Sequence, residues 1–174
     1  MGQNAACAKR MWRASCGAGG GERLITVAMS KVIRSPRARV WRALVSPEEL
    51  IRWDERRISL EEPVPDYPRP GRSARWRCWL GSVSVVHCED ALEVVPAERL
   101  RSAVRLASFE FEETYTLADQ LPDATRLSLR LVAKNRLALY GGELDRFDVR
   151  RLSAERVDQT LAQLQRWCEA PTPA

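Results

Sequence analysis

The chain has 174 residues, 45% of them hydrophobic, which is enough for one substantial core and short for two. Its formal charge is +5, from 28 basic against 23 acidic residues. The basic residues are nearly all Arg and lie along the whole chain, not on one face with stacking aromatics between them, so a nucleic-acid partner is not expected. No stretch approaches the roughly 18 uninterrupted apolar residues of a membrane span, and the first thirty residues lack the order of a secretory signal, which points to the cytoplasm. Five cysteines without a CxxC pair suggest free thiols, neither a disulfide framework nor a zinc site.

Residues 1–22 carry Gly17, Gly19, Gly20 and Gly21 and no sustained periodicity, and are expected to form a flexible leader. Ala6 stands where a myristoylation signal usually has Ser or Thr. Residues 23–170 are read as a single domain and 171–174 as a tail.

From Leu24 to Arg34, Ile25, Val27, Met29 and Ile33 share one strand parity, with Lys31 interrupting it. Ser35 and Pro36 then suit the start of a short helix, whose Val40, Trp41 and Leu44 fall at helical spacing. Ser46, Pro47, Glu48 and Glu49 open a second, with Leu50, Ile51 and Trp53 on its apolar side. A strand is predicted over Arg56 to Glu61, followed by a loop rich in proline.

Gly71 opens a strand in which Ala74, Trp76, Cys78 and Leu80 alternate with Arg75, Arg77 and Trp79, and Gly81-Ser82 makes a hairpin turn. The return strand runs from Val83 to about Val95, with a bend or bulge expected at Glu89-Asp90. Three more alternating strands follow, carrying Leu100 to Leu106, Phe109 to Leu117 and Leu127 to Leu131 on their apolar parity. Gly141-Gly142 then marks a chain break and hinge. Beyond it, residues 145–169 read as one long amphipathic helix, with Phe147, Val157, Leu161, Leu164 and Cys168 on its apolar stripe.

This order carries specific local text: Val32-Ile33-Arg34-Ser35-Pro36 before Val40-Trp41-Arg42-Ala43-Leu44, then Trp53, Gly71, Glu93-Val94-Val95-Pro96 with Arg99-Leu100, and Thr125-Arg126-Leu127. It resembles the START-related, polyketide cyclase/dehydrase-like superfamily over roughly residues 24–169, although that family has Ala where this chain has Ser35. The resemblance implies an α+β helix-grip fold, a seven-stranded curved antiparallel sheet wrapped around the long C-terminal helix. Its members include lipid and hormone carriers, cyclases and chaperone ATPase activators, so the fold leaves function open. What they share is a cavity between sheet and helix.

The single histidine, His87, disfavours a Ser-His-Asp arrangement and most metal sites, and its neighbour Cys88 has opposite parity. Glu113 occupies the apolar parity between Phe111 and Tyr115, where a carboxylate is costly unless paired. It is read either as an ion pair with an Arg of the long helix or as a polar anchor in the cavity. Strand parity and the helix stripe place Trp76, Phe111, Tyr115, Leu129 and Leu161 around the cavity, with Glu113 as its main polar group.

The leading expectation is binding or carriage of a hydrophobic small molecule by a monomer or homodimer, with no cofactor or metal and no assigned catalytic residue. Alternatives are a cyclase or dehydrase using Glu113, Tyr115 or His87 for proton transfer, and an interaction module resembling the chaperone ATPase activators.

Overall fold

A computed structural model describes residues 24–62, 64–106, 109–120, 123–133, 138–139, 142–143 and 146–171. The expected leader, residues 1–22, lies outside the described residues, as do Gly141 and the side chain of Phe147. Strand β1 (Ile25–Ile33) is followed by helices α1 (Arg37–Val45) and α2 (Pro47–Trp53). Then come β2 (Arg57–Leu60), β3 (Ser73–Leu80), β4 (Val83–Val95), β5 (Arg99–Leu106), β6 (Phe109–Gln120) and β7 (Ala124–Ala133). A short hairpin of β8 (Ala138–Leu139) and β9 (Gly142–Glu143) precedes α3 (Arg146–Glu169).

β1 to β7 form one curved antiparallel sheet in the order β1-β7-β6-β5-β4-β3-β2. Each strand from β2 to β7 pairs with its sequence neighbour, and β1 closes the far edge by pairing with β7, Met29 opposite Leu129. The alternation read from the sequence is the alternation of burial. Ala74, Trp76 and Cys78 face inward on β3, and Phe111, Glu113, Tyr115 and Leu117 do so on β6. α3 lies across this inner face, against β1 and β7, with Val157, Leu161 and Leu164 wholly buried.

α2 begins as expected, the Ser46 hydroxyl accepting from the Glu49 amide at 3.4 Å. α1 does not use Ser35 as a cap. Ser35 is buried at the end of β1, where its carbonyl accepts from Thr125 Oγ1 at 2.8 Å, and the cap position falls to Pro36. The irregularity expected at Glu89-Asp90 instead lies between Ala91 and Glu93. Glu89 keeps the inward parity because Arg57 receives its carboxylate there, and the extra residue is the half-exposed Leu92. Glu49 ties the helices together, accepting from Arg39, from Arg42 Nε at 2.8 Å and from Trp167 Nε1 at 2.8 Å.

Candidate functional site

The inner face of the sheet is unequally filled. Over much of it large side chains pack to exclusion of solvent, with Trp76, Leu127, Leu129, Leu161 and Leu164 in one hydrophobic cluster. Beside the N-terminal half of α3 three small residues stand among the larger ones, Ser153 on the helix, Ala133 at the end of β7 and Gly81 in the β3–β4 turn. A cavity of about 330 Å³ opens there. Its sheet wall is Leu80, Leu106, Phe109, Phe111, Leu131 and Ala133, and its helix wall is Val149 and Leu152. The polar groups that reach it are Arg56, Ser153, Glu155, Arg156 and Gln159. A groove of about 610 Å³ along Glu55, Asp158, Gln163 and Arg166 has no comparable apolar wall.

Of the residues expected around the cavity, Phe111 stands on its wall. Glu113 is reached through Arg156, which lines the cavity and donates from Nε to Glu113 Oε1 at 2.8 Å. The Tyr115 hydroxyl donates to the other carboxylate oxygen at 3.2 Å. Glu113 is thus the ion pair with an Arg of the long helix, and the carboxylate itself does not line the cavity. Trp76, Leu129 and Leu161 share the inward face, packed away from solvent, and are not on the cavity wall. Lys31, the other charge on an apolar parity, turns outward to Asp158 at 3.3 Å.

The interior also holds a buried polar layer that the sequence does not announce. Asp54, at the end of α2, accepts from Arg56 Nε at 2.8 Å and Arg57 Nε at 3.3 Å. Arg57 also reaches Glu89 at 3.2 Å and stacks 4.3 Å from the centre of the Trp76 ring. Burial pushes the Asp54 carboxyl up, but the Arg56 and Arg57 guanidiniums outweigh it and hold the group well below the ordinary carboxylate range. His87 packs beside this layer with Nδ1 3.7 Å from Cys78 Sγ, so its sulfur neighbour is across the strand pair and is not Cys88. Burial, then the charges of Arg57 and Arg156, hold His87 well below its ordinary value, and burial raises the Cys78 thiol. The pair is thus neutral thiol beside neutral imidazole, not an activated nucleophile. Burial and then Glu113 push the Tyr115 phenol well up, so it serves Glu113 as a donor.

Among the described residues no cluster of His, Cys, Asp and Glu has the arrangement of a metal site. No helix among them is long and apolar enough to cross a membrane.

The model of one family, "Activator of Hsp90 ATPase homolog 1-like protein", matches residues 34–167. The chain belongs to this family. The match spans both short helices, the sheet from β2 onward and nearly all of α3, and it agrees with the START-like, polyketide cyclase-like resemblance of the sequence. No curated protein matches the chain. Among solved structures, a START superfamily protein from Mycobacterium smegmatis superposes with a TM-score of 0.69 at 14% identity, covering 83% of this chain and 97% of that one. TTHA0849 from Thermus thermophilus gives 0.61 at 24% identity, covering 83% and 97%. CalU16 from Micromonospora echinospora gives 0.58 at 18% identity, covering 85% and 77%. At these identities the likeness is one of fold, and the shared feature is the sheet that grips a C-terminal helix.

Proposed function

We propose that this protein binds and carries a hydrophobic small molecule in the cytoplasm, holding it in the cavity between the N-terminal half of α3 and the open end of the sheet. One observation carries the reading: an apolar-walled space of about 330 Å³ beside an otherwise filled core, within the range of small-molecule sites. A domain with no use for that space would gain stability by filling it, because lost dispersion contacts and exposed apolar wall both cost free energy.

Ser153→Phe tests the reading, since this small residue lies on the wall and a ring there occupies the cavity without touching the packed core. The wild type is expected to bind an environment-sensitive apolar probe, and the variant to bind it at least tenfold more weakly with its helix content intact. Equal affinity in the two proteins would remove the cavity from consideration.

A second reading is activation of a chaperone ATPase, the activity in the family's name. It is favoured by Trp79, which stands exposed on the outer side of β3. Stimulation of an Hsp90 ATPase that disappears in Trp79→Ser but survives in Ser153→Phe would decide for it.

A further inference from the structure

We infer that the occupant of the cavity is an amphiphile with a carboxylate head, held between Arg56 and Arg156, its hydrocarbon part lying along Phe109, Phe111 and Leu152. The inference rests on the binding reading above and names the chemistry of its ligand.

Arg156 is fixed from two sides, by the bond from its Nε to Glu113 at 2.8 Å and by its guanidinium carbon standing 4.9 Å from the centre of the Phe111 ring. These contacts use one edge and one face of the group. The Nη edge has no acceptor among the described residues, and the side chain lines the cavity. Arg56 is likewise anchored, Nε to Asp54 at 2.8 Å and Nη2 to Thr160 Oγ1 at 2.9 Å. Thr160 in turn donates to the Arg156 carbonyl at 2.8 Å, so the Arg56 guanidinium is fastened to the turn of α3 that carries Arg156. They are 22% and 18% exposed, and their remaining N–H groups are therefore only partly satisfied by water.

Two preordered guanidiniums with spare donors at the polar end of an apolar cavity match a planar acceptor with two oxygens. The third charged group on the wall, Glu155, is half exposed and paired with Arg151 at 3.0 Å, so water and Arg151 screen it from an anion at the two guanidiniums. Around the site Asp54, Glu89 and Glu113 balance Arg56, Arg57 and Arg156, so an anion there is held by the directed spare N–H donors and not by an excess of positive charge. An alcohol or ester head can accept from the same donors, but without the charge that strengthens the bond.

Displacement of a bound apolar probe by decanoate, methyl decanoate and decanol, at neutral pH, tests this. Decanoate is expected to bind at least tenfold more tightly than the ester or the alcohol. The preference should vanish in the double variant Glu113→Gln/Arg156→Gln, which replaces the ion pair by two amides and so avoids stranding one buried charge. If all three compounds bind alike, the carboxylate inference fails while the binding reading stands. If none displaces the probe, or the probe itself does not bind, both fail. A preference for decanoate that persists in the double variant would show that Arg156 is not its source, and would overturn the inference.

Discussion

Glu113 is a carboxylate on the inward face of a central strand, 3% exposed, and it is tolerated because Arg156 and Tyr115 donate to its two oxygens. Removing one member of such a pair costs more than the pair contributes, because the other charge stays behind without a partner. Glu113→Gln should therefore lower unfolding stability by about 3 kcal/mol, at the low end for a buried pair, since Arg156 keeps some contact with water. The double variant Glu113→Gln/Arg156→Gln should recover most of that loss. Chemical denaturation of the wild type and the two variants measures both effects. If the single and double variants were equally stable, Arg156 would not depend on Glu113 for its burial. An ion pair of this kind has no short-range signature. Arg57–Glu89 and Arg156–Glu113 join residues 32 and 43 positions apart, and only the misplaced carboxylate at an apolar parity gives a hint of one of them.

At the scale of the element, β3 states the rule by which most of the fold is readable. Trp76 is wholly buried and Trp79, three positions on and of opposite parity, is 48% exposed. Trp76→Ala should cost about 3–5 kcal/mol, by loss of buried surface and by the cavity left behind. Trp79→Ala should stay within about 0.5 kcal/mol. Comparable losses in melting experiments would contradict the facing of the strand. Period and turn chemistry likewise place the seven strands, α2 with its Ser46 cap, and α3 to within a residue of its expected start. They fail where a long-range contact overrides a local preference. Ser35 has the chemistry of a cap but is drawn into the β1–β7 end by Thr125, and Glu89 resists the bulge because Arg57 binds it. The β8–β9 hairpin has too few residues to show a period. On α3 the apolar stripe runs past the cavity, with Val149 and Leu152 on its wall, and only Ser153 and Arg156 break it there, so neither period nor residue type separates the cavity from the packed core.

Taken whole, the molecule is a sheet that grips one helix, with a close-packed core, an apolar cavity beside it, and a buried layer of charge. That layer sets how stability responds to acid. His87 is 3% exposed; burial and then the nearby Arg57 and Arg156 hold its pKa well below the ordinary 6.5, with Arg56 adding to this and Asp54 opposing it. Glu89 Oε2, at 4.0 Å from Nε2, and the Cys78 sulfur are its other close neighbours. Below about 6.5 the unfolded chain therefore takes up a proton that the folded chain refuses, and stability falls with pH by up to about 1.4 kcal/mol per unit until the folded imidazole also titrates. Asp54 acts in a lower window. Its folded carboxyl is depressed, so the stability it contributes is present above its ordinary 3.8 and is lost as pH falls further. His87→Gln removes the first of these proton linkages and leaves the second. The variant's unfolding free energy should be flatter than that of the wild type as pH falls from about 6.5 towards 4.5, and should then drop alongside it in stronger acid. The comparison reads slopes, so an overall change in stability from the substitution does not disturb it. Parallel profiles through the upper window would mean that folded His87 accepts its proton as readily as the unfolded chain does, and that the arginine layer does not control it.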